Sequence, residues 1–195
     1  NNTEGDEIHE AMEALMEENA AMAERMESLS NRVDQLEANR EMLLRLMDEQ
    51  VTILSGELGD DYEILPIYHL DVNTYDIRVQ YYTMVQKEAD LEEKVKNLSE
   101  KLSQYAFDGL PIELESIEAG NGDQRIAVIN LIDPEDRTLM LSGKTWAGNY
   151  FQGSTGGLAT ATKLLNTFLQ EDFEGEWIDG VKFLYNGDET HRFEH

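Results

Sequence analysis

The groups that could do chemistry in this sequence are few in kind. Gly153-Ser154-Thr155-Gly156-Gly157 runs straight into an apolar, helix-like stretch. A glycine-rich turn at a helix start can offer its backbone amides, helped by the helix dipole, to a phosphate or carboxylate. The run lacks the Gly-Lys-Ser/Thr ending of a phosphate loop. Capping is therefore the better reading, with Ser154 or Thr155 accepting from a first-turn amide, and Ser154, Thr155, Gly156 and Gly157 stay as a weak ligand-binding set. Nucleophilic catalysis by Ser154 has no Gly-x-Ser-x-Gly elbow to support it. It would depend on His69, since His9 lies in the N-terminal stretch and His191 and His195 near the end. Asp71, Asn73 and Tyr75 begin like a calcium loop, but Asp76 and Tyr82 stand where glycine and a bidentate glutamate are needed, so a solvated turn is expected. Asp133-Pro134-Glu135-Asp136 could meet a cation weakly and reads as an acidic loop in water. With 41 Asp and Glu some carboxylates always sit close together, so their pairing carries no information. Four histidines and no cysteine give no metal site and no cofactor to expect. Trp146, Tyr150 and Phe151 before that helix, and Trp177 after it, form either a partner-recognition surface or a plug for the edge of a small core, with the plug preferred.

The elements that must hold these groups can be read from periodicity. Ser154 to Gln170 places Leu158, Ala161, Leu165 and Phe168 on one helical face, widened by Leu164 and Leu169, and sets Thr160, Lys163, Thr167 and Gln170 opposite. Val181 to Tyr185 is a strand stopped by Asn186-Gly187. Upstream, 64–70 and 77–85 are β-prone and joined by a polar connection at 71–76. A helix from near Ala89 carries Leu91, Val95, Leu98, Leu102 and Tyr105 on one face and stops before Gly109. A strand through Glu118 turns at Asn121-Gly122 into Ile126 to Ile132. The apolar beat slips between Leu114 and Ile117, which predicts a bulge, and the second strand, apolar on both faces, is expected to be central. Asp133 to Gln152 reads as irregular. The fold class is α+β: a small mixed or antiparallel sheet with two helices on one face, preceded by a long coiled-coil helix.

That long helix has the strongest periodic signal in the chain. Ile8, Leu15, Met22, Leu29, Leu36 and Leu43 fall at d of a heptad, and Met12, Met26, Val33, Met47 and Leu54 at a, with Asn19 and Arg40 breaking the a series. The run from Ile8 to Leu54 holds no Pro or Gly and would extend roughly 70 Å as a helix. A lone helix cannot bury such a stripe, so the reading is self-association as a parallel dimer, set against packing within one chain. Asn19 argues for two strands. Leu44, Leu46 and Val51 widen the stripe near its end and point to higher order or to docking on the folded domain beyond it. Residues 1–7 read as a flexible lead-in, 8–54 as the oligomerisation stalk, 55–61 as a linker rich in Gly and Asp, and 62–195 as the folded domain.

The formal charge of −26, from 15 Lys and Arg against 41 Asp and Glu, repels nucleic acid and anionic lipid, so neither is an expected partner. The chain opens on Asn1 rather than Met, which raises the expectation of an upstream signal or lipid anchor and of membrane contact through that anchor alone.

The element order after residue 60, the run Gly153 to Gly157 before an Ala/Thr/Leu helix, and the ending Asp179-Gly180-Val181-Lys182-Phe183-Leu184-Tyr185-Asn186-Gly187 resemble the GerMN domain of sporulation and spore germination, over about Tyr62 to Asp188. The link from Asp108 to Pro111 is shorter, and the segment Asp133 to Gln152 longer, than the family pattern. The resemblance implies a non-catalytic module of the bacterial envelope, often in extracytoplasmic lipoproteins, similar to ring-building domains of secretion and sporulation complexes. An envelope protein or cell-wall partner is what it leads one to expect. Two other readings stay open from the residues alone: an extracellular hydrolase of glycan or peptide working through paired acids, and a structural spacer.

Overall fold

The computed structural model of the chain describes residues 3–135 and 143–189. Asp136, His191 and His195 lie outside the described residues. The chain divides into two units, Asn1–Glu49 and Gln50–His195.

Helix α1 spans Thr3–Leu58. Its Ala, Glu, Met, Leu and Arg content is of strong helix formers, and no proline interrupts it. Thr3 to Glu7, expected as a flexible lead-in, already belong to the helix. The expected linker at 55–61 is mostly helical too, and the division between units falls at Glu49/Gln50 instead. The helix takes in Gly5 and Gly56, each costing about 1 kcal/mol relative to alanine. The turn that ends the helix needs a glycine at Gly59, where a Cβ would lie 2.3 Å from the Ser55 carbonyl oxygen.

The second unit runs β1 (Tyr62–Leu70), β2 (Ile77–Gln86), α2 (Leu91–Ala106), β3 (Ile112–Ala119), β4 (Arg125–Leu131), a single π-helical turn (Trp146–Tyr150), α3 (Ser154–Leu169), β5 (Gly180–Tyr185) and the short β6 (Asp188–Glu189). This is the expected α+β order, with the π turn and β6 added. The strands form two sheets: an antiparallel β1-β2 ribbon, and a mixed sheet ordered β3-β4-β5-β6. The β4–β5 pair is parallel, with α3 in its crossover. A register shift between Leu114 and Ser116 sits where the apolar beat slips. β4 lies between β3 and β5 with Ala127 to Leu131 buried, as its two apolar faces require.

α2 packs against β3 and β2, and α3 against β1 and β5. Asp90 caps α2 by accepting from the Glu93 amide at 2.8 Å. Leu65, Ile67, Leu98, Leu102, Phe107, Ile129, Leu131, Trp146, Leu164 and Phe168 make one core between these layers. Two expectations about helix faces change. Tyr105 is exposed rather than on the buried face of α2. α3 buries Thr160, Leu164, Thr167 and Phe168, while Leu158 and Leu165 remain exposed. The threonines can face the core because their hydroxyls are satisfied: Thr160 donates to the Tyr150 carbonyl at 2.8 Å, and Thr167 Oγ1 accepts from the Tyr68 amide at 3.0 Å.

Candidate functional site

The apolar stripe of α1 is exposed along the described helix: Ile8, Met12, Leu15, Met22, Met26, Leu29, Val33, Leu36 and Leu43 each present between 51% and 70% of their surface. Asn19 is exposed as well, and Arg40 and Met47 are half-buried. His9 sits over Glu13 one turn away at 3.5 Å, an exposed pair of little energetic weight.

A second apolar surface lies wholly within the Gln50–His195 unit. It is a groove of about 390 Å³ lined by Val51, Leu54 and Leu58 from the last turns of α1, Tyr62 and Ile64 from β1, Tyr81 to Met84 from β2, and Lys101 and Tyr105 from α2. Tyr81 meets Tyr105 edge-on with ring centroids 6.5 Å apart. Burial pushes the Tyr81 hydroxyl up to about 12, and that hydroxyl has no hydrogen-bond partner among the described residues. The widening of the α1 stripe at Val51 was the sequence signal for this surface. The other walls gave none, because a strand pair and a helix meet there only after folding.

The glycine-rich run behaves as a helix start without a side-chain cap. Gly153, at φ 72°, is the N-cap residue, and Ser154, Thr155 and Gly156 lie exposed in the first turn. The expected cap from Ser154 or Thr155 is therefore replaced by a backbone entry that only glycine enters without strain. Gly157 donates to the Gly153 carbonyl at 2.9 Å, an ordinary helical bond.

Of the four aromatics, two are buried and two half-buried. Trp146 is fully buried, 4.8 Å from the Phe107 ring and 5.4 Å from Tyr150, and its indole donates to the Pro111 carbonyl at 3.3 Å. Trp177 is buried and donates to the Phe168 carbonyl at 2.6 Å. Tyr150 and Phe151 pack half-buried against the same core. Both indoles sit as the plug reading expects, each finding a carbonyl inside the fold.

Asp133, read from sequence as part of an acidic loop, anchors the π turn. Its carboxylate accepts from the Trp146 amide at 2.6 Å, the Ala147 amide at 3.1 Å and the Tyr185 hydroxyl at 2.9 Å. Its own amide donates to Asn186 Oδ1 at 2.9 Å. Asp108 makes a second tie, accepting from Lys144 Nζ at 2.8 Å and from the Tyr150 hydroxyl. The Lys144 hydrogen bond, then that from Tyr150, holds the Asp108 carboxyl below its ordinary value, while burial and then Asp108 push Tyr150 up. Burial pulls the Lys163 ammonium down; it donates to Gln80 Oε1 at 2.8 Å and lies 5.8 Å above the Phe107 ring.

The calcium-like turn is closed on itself. Asp71 Oδ1 accepts from the Asn73 amide, Tyr75 donates its amide to the Asp71 carbonyl, and Arg78 reaches Asp76 at 3.2 Å. His69 lies on β1, in register with Arg78 of β2. Among the described residues no group of three or more His, Asp or Glu is placed to hold a metal ion, and no helix is long and apolar enough to cross a membrane.

No protein-family model, no curated protein and no solved structure matches this chain.

Proposed function

We propose that this chain is a non-catalytic protein of a bacterial cell envelope. In this reading it self-associates through Ile8 to Leu54 as a parallel dimer and presents its GerMN-like domain to an envelope protein or cell-wall partner. The link to sporulation or germination, the extracytoplasmic location and the upstream lipid anchor come from the sequence resemblance alone. The observation that carries the self-association is the exposure of the α1 stripe. Burying an exposed Leu or Met contributes on the order of 1.5–3 kcal/mol, so a stripe this long favours a partner even after association entropy is subtracted. The non-catalytic part of the reading is supported by the use of the polar side chains: Asp133, Asp108, Thr167 and both tryptophans spend their hydrogen bonds on holding the fold together.

The test is the concentration dependence of helix melting. Pairing stabilises by mass action, so the helical melting midpoint of the full chain is expected to rise with chain concentration. Leu29→Glu combined with Leu36→Glu, both exposed d positions, is expected to abolish that rise. A midpoint independent of concentration in the unaltered chain would contradict the proposal.

A further inference from the structure

The stripe on α1 changes character towards its end. In the frame that puts Met47 and Leu54 at a, the e and g positions from 30 to 39 carry Ser30, Arg32, Glu37 and Asn39, the polar kind that flanks a two-stranded seam. From residue 44 onward they turn apolar, with Leu44, Val51 and Leu58 at e and Leu46 and Ile53 at g, while d is taken by Gln50. Apolar flanks around a polar d need cover beside the seam as well as along it. On the e side, Val51 and Leu58 join Leu54 to form one wall of the groove. On the g side, Ile53 stands 53% exposed.

In a parallel pair a g residue packs on the e residue five places further along the other chain. Ile53 of a second copy then reaches Leu58 at the groove wall, and Leu54 of that copy meets its own counterpart. We infer that the groove is the seat of a second copy of this chain, whose Ile53 and Leu54 close it over Leu58, Met84 and Tyr105. The inference rests on the parallel pairing proposed above and extends it from the seam into the folded unit. A further observation points to the same occupant. About ten exposed a and d side chains, each able to bury roughly 60–100 Å², supply on the order of 800 Å² per copy, which is what a stable dimer needs. Among the described residues lining the groove Lys101 alone is charged, so the groove itself adds no like-charge carboxylates to the repulsion between two copies that each carry −26.

The full chain has no native cysteine, so single cysteines report on pairing directly. Residues at a and d of a parallel pair face their own copies closely enough for a disulfide. Leu36→Cys tests the seam, and Leu54→Cys tests whether the second helix is still opposite where the groove begins. Both variants are expected to cross-link under mild oxidation. Met84→Lys, at a half-exposed position that tolerates charge in the monomer, is expected to weaken self-association about tenfold by sedimentation. If Leu36→Cys cross-links while Leu54→Cys stays reduced, or if Met84→Lys leaves the association constant unchanged, the groove has another occupant, such as a small apolar ligand. The inference then fails with the parallel pairing intact. If Leu36→Cys does not cross-link either, the pairing itself is wrong and the inference falls with it.

Discussion

Asp133 joins three parts of the chain that lie far apart in sequence: its own loop, the π turn at Trp146 and Ala147, and β5 through Tyr185. Removing its carboxylate leaves two amides and a hydroxyl without their acceptor, which costs about 3 kcal/mol in total. Asp133→Ala is expected to lower the domain's Tm by roughly 6–12 °C, and Asp133→Asn, which keeps one acceptor oxygen, by less. Equal losses in the two variants would mean that the carboxylate does not hold the turn. Asp108 gives a prediction with a pH signature. It sits at φ 53°, a region asparagine also enters readily, so Asp108→Asn isolates the charge. Its pKa is lowered by the Lys144 and Tyr150 hydrogen bonds, so its stabilisation is present above the ordinary value of 3.8 and is lost as pH falls through the depressed folded value. The Tm difference between the native chain and Asp108→Asn is expected to be constant near neutrality and to close below about pH 3.8; thermal melts across pH 2–7 measure it. Neither residue's role was legible in the sequence. Asp133, in an acidic run, looks solvated until folding brings amides from another segment against it, and Lys144 and Tyr150, the partners of Asp108, reach it only in the folded chain.

At the level of elements, β1 to β5 and their order along the chain were legible because a period of two survives local noise, whereas β6 and the division into two sheets were not. The bulge at Leu114/Ser116, the central place of β4 and the turn at Asn121-Gly122 all follow from side-chain alternation and turn chemistry. Gly122 has φ 73° and open space around it, so Gly122→Val is expected to cost about 1–2 kcal/mol through backbone strain alone. An unchanged melting temperature would contradict that. The facing of α3 was not legible. Its apolar count favours the Leu158 and Leu165 side, yet the helix buries Thr160 and Thr167, whose partners are backbone groups on the π turn and on β1. Hydropathy prices a hydroxyl as polar and has no means of seeing the group that satisfies it. Thr167→Val keeps the shape and leaves the Tyr68 amide without its acceptor, so a loss of about 1–2 kcal/mol is expected in chemical denaturation. A neutral result would show that apolar packing alone sets the facing of the helix.

For the whole molecule, the heptad and the helix it predicts were the most legible feature, since no proline breaks α1 between Thr3 and Leu58. The end of the stripe was harder to read. Val51, Leu54 and Leu58 serve a groove in their own unit, and a strict heptad count assigns only Leu54 among them to the seam. The glycines and aspartates of 55–61 suggested a linker, but a helical glycine costs only about 1 kcal/mol, too little to end the helix before Leu58. Whether the exposed stripe is a self-association surface is tested most directly by sedimentation equilibrium of the full chain at micromolar concentration. The expected result is a species of twice 22.3 kDa that dissociates on dilution and is lost in the Leu29→Glu, Leu36→Glu chain. A single species of 22.3 kDa across that range would contradict it.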